Sequence, residues 1–252
     1  MYLAKMTTVQ VKEAFEKDPI VVIPTGSTEQ HGTHGALGTD FMIPSFLAEQ
    51  IADMENILVA PTLPYGVCPY HLSFAGSIDI GYEGLYMVLR GIMGSLMQQG
   101  ARRFLILNGH GGNNPSIDKA ALEVYENGGI CACIDWWSLV GQLNKEFAGG
   151  HGDALETSAM MAIAPEAVHL DLCREMNPVS PSEETSVAYI QAISFKGGTV
   201  RIPRDTKETA PNGWFGPCDP RESTKEFGQA ALELAASYIR EFLCEMKKIK
   251  II

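Results

Sequence analysis

The sequence predicts an α/β fold: a single three-layer α/β/α domain over residues 1–252 with a mainly parallel central sheet. Three observations lead there. Four short, continuously apolar segments rich in branched residues recur: "IVVIP" at 20–24, "ILVAP" at 57–61, "RFLILN" at 103–108 and "ICACID" at 130–135. Such segments are strands covered on both faces, the condition of a parallel sheet. Stretches of helical period at 41–53, 83–99 and 114–126 alternate with them, as βαβ units require. At 252 residues the chain can also bury a core that needs no disulfide staples.

The remaining elements follow in order. Thr7 or Thr8 caps a first helix, with Val9, Val11, Ala14 and Phe15 on a partly buried face, and Asp18-Pro19 ends it. A helix is expected over 153–164. The stretch 221–248 reads as a long amphipathic helix with Ala230, Leu234, Tyr238 and Phe242 on one face. Residues 178–220 combine Pro and Gly with no clear period and receive no assignment.

Composition narrows the function. The chain has 19 Lys plus Arg against 30 Asp plus Glu, a net charge of −11. Such a surface repels phosphate backbones and anionic lipid, which argues against nucleic acid and membrane partners. No run approaches the roughly 20 apolar residues of a membrane span, and the amino terminus lacks a leader pattern, so a cytoplasmic protein is expected. The six cysteines show no CxxC spacing and read as reduced, mostly buried thiols.

In a parallel α/β sheet, ligands bind beyond the carboxyl ends of the strands. Each chemically loaded cluster of this chain falls there. "GSTEQHGTHGALGTD" at 26–40 follows the first strand and carries Glu29, His31, His34 and Asp40. In extended chain, Glu29 and His31 project to one side, and Asp40 sits beside the next helix start, where a carboxylate could bridge two ions. "LNGHGGNN" at 107–114 ends the third strand, with glycines on both sides of His110. "GGHGDALETSAMM" at 149–161 places His151 at a helix amino end, Asp153 as its cap and Glu156 about one turn in. Two imidazoles and two or three carboxylates suit Zn²⁺, Mn²⁺ or Fe²⁺. A phosphate loop at "GHGGN" is an alternative, although it matches neither the dinucleotide fingerprint nor the P-loop. A non-catalytic ligand-binding module with a structural metal is another, disfavoured by the absence of cysteine near the motif.

"PTGSTEQHGTHGALGTD", "NGHGGN" and "HGDALETS" together resemble the signature segments of the creatininase (creatinine amidohydrolase) family, in order and spacing, over residues 20–164. "PYGVCPYHLSFAGSI" at 64–78 and "NGWFGPCDP" at 212–220 resemble two further family segments. The resemblance implies one α/β domain, two divalent metal ions per chain and a homo-oligomer, commonly a hexamer. Carried over residue by residue, Glu29 and His110 hold one ion, His31 holds the other, and Asp40 bridges both. The family's remaining ligand, a Glu two residues after the motif His, is Gly112 here, and Glu156 is the candidate replacement. His151 matches the family's catalytic His, with Glu156 beside it in the catalytic set. At Gly111 creatininase carries a bulky aromatic. His34, Tyr70, His71, Trp136 and Trp137 are the candidate pocket residues. The implied reaction is hydrolysis of a small polar substrate by a metal-held hydroxide that attacks a carbonyl. A cyclic amide or other C–N amide bond is the first expectation; deformylation of a formamide and ring-opening C–C hydrolysis of a diketo-inositol are the alternatives.

Overall fold

Alternate residues of a fully buried strand serve opposite faces of its sheet, so two helical layers must cover it. The computed structural model describes residues 1–251 and shows that arrangement. Helix α1 (Thr8–Phe15) precedes β1 (Ile20–Thr25); α2 (Thr39–Glu49) leads to β2 (Ile57–Val59) and α3 (Gly81–Gln98) to β3 (Arg103–Asn108). Then come α4 (Asn114–Glu126), β4 (Ile130–Asp135), α5 (Trp136–Leu143) and α6 (Ala154–Ile163). The sheet is parallel with order β2-β1-β3-β4. Its register aligns the carboxyl ends, with Thr25 opposite Asn108 and Asn108 opposite Asp135.

One face of the sheet, with Ile20, Val22, Leu105 and Leu107, packs on α2, α5 and α6 and on the carboxyl-terminal helix. The other face, with Val21, Ile23, Phe104 and Ile106, packs on α3 and α4 and meets Ala14 of α1. Thr7 accepts from the Gln10 amide and Gln10 answers with its side chain, a capping box that starts α1. Within α1, Ala14 is buried, but Val9 is 64% exposed and lies off the packed face.

The unassigned stretch forms β5 (Ser186–Tyr189), β6 (Ala192–Phe195) and β7 (Gly198–Arg201), a separate antiparallel sheet of three strands. A short α7 (Thr206–Thr209) follows, and α8 (Lys225–Met246) closes the chain. The buried stripe of α8 is Ala231, Leu232, Ala235, Ile239, Leu243 and Met246, one residue further along than the expected stripe. Both stripes are apolar at helical spacing. The rotation is set where Ser158 Oγ accepts from the Thr224 amide and Thr224 caps the helix. The six cysteines are free thiols, of which Cys68 and Cys173 are buried and Cys133 and Cys244 exposed, so burial is less general than expected. Among the described residues no helix is long and apolar enough to cross a membrane.

Candidate metal centre

Five side chains able to hold a metal ion converge on one buried point beyond the strand ends. Glu29 and His31 lie on the loop after β1, Asp40 in the first turn of α2, His110 just after β3, and Glu156 in the first turn of α6. All five are buried. Asp40 is held against both strand ends by close packing. Pro44 supplies no amide to the Asp40 carbonyl. The Gly109 backbone approaches that carbonyl so closely that a Cβ would lie 1.8 Å from the oxygen. Only glycine permits this approach.

Two triads that share Asp40 result, beside a third overlapping group of Glu29, His31 and His151. Glu29, Asp40 and His110 offer ligand atoms within 4.8 Å of one another, and so do His31, Asp40 and Glu156. Asp40 is common to both: Oδ2 lies 3.2 Å from His110 Nδ1 and Oδ1 lies 2.9 Å from His31 Nε2. Glu29 Oε1 is 3.1 Å from His110 Nδ1, and Glu156 Oε2 is 3.5 Å from His31 Nε2.

The chemistry of these donors calls for cations. His110 Nε2–H donates to the Val67 carbonyl at 2.8 Å, which leaves the Nδ1 lone pair facing Glu29 and Asp40. His31 Nδ1–H donates to the Glu29 carbonyl at 3.1 Å, which leaves Nε2 facing Asp40 and Glu156. Backbone carbonyls of this kind fix the tautomer of a metal-ligating histidine. A neutral ring would then oppose lone pair to carboxylate, and only a proton or a metal ion resolves that. Both oxygens of Glu29 and Oδ2 of Asp40 are buried without a hydrogen-bond donor. Without an ion the cluster stores charge as protons. Burial pushes the Glu29 carboxyl up and the Glu156 carboxyl up to about 8. For His31, burial acts downward, but Asp40 and Glu156 outweigh it and hold the imidazole at about 10. His110 is raised in the same way, by Glu29 and Asp40 against the effect of burial.

Around the triads sits a neutral histidine group. The His151 ring lies between His31 and His71, with centroids 4.5 Å and 4.6 Å away. Burial, then the neighbouring His31, pushes the His151 imidazole well below its usual range. His71 is lowered likewise, first by burial and then by His110. Gln30 lies against both rings: its Nε2 is 2.9 Å from His71 Nδ1 and 2.8 Å from His151 Nε2, and one of its two N–H groups donates to the Gly213 carbonyl, which leaves one for the rings. The Gln30 oxygen accepts from the Gly32 amide, which fixes the orientation of the carboxamide. His151 is further pinned by paired backbone hydrogen bonds with Phe215.

Asp153 caps α6 as expected, accepting from Leu155 and Gly150 amides. Glu156 accepts from the Gly152 amide at 2.6 Å, which aims its carboxylate at His31. Gly112 has no room for any side chain, because a Cβ there would lie 2.1 Å from the Val67 carbonyl and 2.4 Å from His110 Nε2. The carboxylate that groups with His31 and Asp40 in this chain is Glu156, on α6.

A cavity of about 960 Å³ opens over the triads. Tyr70, His71 and Trp137 line it; His34 and Trp136 do not. His34 is turned away, its ring held by the Gly152 carbonyl and Thr157 Oγ1, and Trp136, the first residue of α5, packs into the core. Adjacent tryptophans on a helix point in different directions, so only one could reach the cavity. Gln30, Tyr82, Phe215 and Arg201 are site residues that motif reading passed over. Gln30 sat in plain view within "EQH"; Arg201 lay in the stretch with no periodic signal.

The family pattern of creatininase, described as creatinine amidohydrolase, matches residues 4–243. The 3-dehydro-scyllo-inosose hydrolase of Thermotoga maritima is 28% identical over 190 residues, 71% of this chain and 61% of that protein. The mycofactocin precursor peptide peptidase of Mycobacterium ulcerans is 35% identical over 162 residues, 61% of this chain and 62% of that protein. The chain thus spans about three fifths of the length of these relatives. The solved structure "Creatininase Mn" superposes with a TM-score of 0.75 at 24% identity, covering 97% of each chain, which places the fold. The match over almost the whole length, on a fold of the same architecture, identifies this chain as a member of the creatininase family.

Proposed function

We propose that this chain is a metal-dependent hydrolase that cleaves a C–N amide bond of a small polar substrate. The observation that carries the reading is the pair of buried triads sharing Asp40, with carboxylate oxygens that lack any donor. In this reading Glu29, Asp40 and His110 hold one divalent ion, and His31, Asp40 and Glu156 hold the second. Zinc, manganese and ferrous iron all suit oxygen and imidazole donors. Ions bound there would supply Lewis acidity to a substrate carbonyl and lower the pKa of a bound water.

The protein's own groups do the rest. His151 lines the cavity beside the triads and is kept neutral, so it can take a proton and return it to the leaving nitrogen. Gln30 and His71 hold its ring in place. Trp137 and Phe215 offer apolar walls for the substrate body. The cavity is within the range of small-molecule sites. A ring-opening C–C hydrolysis is the second reading, favoured by the similarity to the Thermotoga protein. The reading includes a cytoplasmic homo-oligomer, a hexamer in the family's common form, and exposed Tyr189, Phe195 and Val200 on the antiparallel sheet are consistent with a covered face.

The test is metal content by plasma mass spectrometry together with turnover on a panel of amides, formamides and cyclic diketones. Asp40→Ala should lose both ions and fall by at least about 10³-fold in turnover. A variant that keeps its metal and its activity overturns the proposal.

A further inference from the structure

The cavity has a charged feature that the metal centre does not use. Its lining contains three charged groups apart from histidines: Asp40 and Glu156, which belong to the triads, and Arg201. Arg201 ends β7 on the antiparallel sheet, and so reaches the cavity from an element separate from the one that builds the metal centre. Among the described residues its guanidinium has no carboxylate within ion-pair distance and makes no side-chain hydrogen bond. Arg90, Arg103, Arg221 and Arg240 each have an acidic partner, Arg102 and Arg174 donate to backbone carbonyls, and Arg204, whose Nε also lacks a partner, is not part of the cavity lining.

The backbone beside it is nevertheless fixed. The buried Gln191 side chain accepts from the Arg204 amide at 3.0 Å and donates to the Arg204 carbonyl at 3.1 Å, while the Ile202 amide donates to the Gln191 carbonyl. A clamped strand end therefore presents an unpaired cation at the mouth of a site in a chain of net charge −11. Guanidinium groups favour planar oxyanions, which they bind through two parallel N–H donors. Besides Arg201 and the triad residues the lining includes Tyr70, Tyr82, Trp137 and Tyr189, rings that suit an apolar or aromatic body.

We infer that the substrate is an amide ending in a carboxylate: Arg201 pairs with that carboxylate, the aromatic lining holds the body, and the amide carbonyl faces the metal centre. The inference rests on the hydrolase reading for the placement of the amide, whereas recognition of the carboxylate is measurable without turnover.

The experiment compares N-benzoylglycine with N-benzoylglycinamide, which differ only in the terminal charge, on the metal-loaded protein. Binding is read by calorimetry and hydrolysis by release of benzoate. Wild type should bind the carboxylate at least about tenfold more tightly than the carboxamide. Arg201→Gln should bring the two within about threefold, and Arg201→Lys should retain part of the difference, as a point charge without the fork. Arg201 is exposed and unpaired, so these variants should keep the wild-type melting temperature and metal content. A preference that survives in Arg201→Gln originates at the metal ions and overturns the inference, as does a wild type that binds both compounds equally. An Arg201-dependent preference without hydrolysis of any panel amide upholds recognition of the carboxylate and overturns the hydrolase reading alone.

Discussion

Backbone carbonyls decide which lone pairs the two buried imidazoles, His31 and His110, offer. The Val67 and Glu29 backbone carbonyls each accept from one ring N–H, so His110 and His31 present their lone pairs from opposite nitrogens, Nδ1 and Nε2. Motif spacing brought these residues into view because each cluster directly follows an apolar run, where a strand must end. It could not tell which ring nitrogen serves, nor on which side of the loop His34 lies. The most informative single position is Gly112. Glu156→Gln should leave the Glu29, Asp40 and His110 triad in place and reduce bound metal from about two ions to about one per chain, read by plasma mass spectrometry. Restoring a carboxylate by Gly112→Glu in that background should fail to recover the second ion, because its Cβ would collide with the Val67 carbonyl.

Elements were legible where a single physical condition governs them. The four parallel strands are buried on both faces and so appear as unbroken apolar runs; the observed β3 and β4 coincide with the expected segments. Helix α5 was missed because "DWWSLVGQL" continues directly from β4 with no break to mark the change. The antiparallel sheet was missed because its strands are four residues each, too short for alternation to stand out, and β7 is exposed throughout. In α8 two apolar stripes compete, and tertiary capping by Ser158 chooses between them. The choice has a measurable cost: Leu243→Ala, in the buried stripe, should destabilise by about 2–5 kcal/mol in denaturant unfolding. Tyr238→Ala, on the stripe that spacing alone suggested, should cost less than about 1 kcal/mol.

For the whole molecule, folding and metal binding are linked. Three buried carboxylates and two buried imidazoles converge at the carboxyl end of the sheet, and their desolvation opposes folding unless cations are present. Each ion that binds only the folded chain, at about 100 times its dissociation constant, adds about 2.7 kcal/mol. Loss of one ion to chelator should therefore lower the melting temperature by about 5–11 °C and loss of both by about twice that, and Asp40→Ala should be insensitive to chelator in the same scan. The cost falls on one end of the molecule; the two apolar layers beneath it carry no charge of the cluster.

With the Glu156 carboxylate supplied by α6 and none by the β3 loop, two tasks that would otherwise share one peptide are separate. The loop at 110–112 keeps a single duty, that of His110, while Gly111 beside it faces the cavity with Trp137 at 3.5 Å as the nearest atom a Cβ would meet. Gly111 therefore acts as an adjustable aperture. Side chains of graded size can narrow the entrance there without disturbing a ligand, so evolution or an engineer can retune which molecules enter while the metal chemistry stays unchanged.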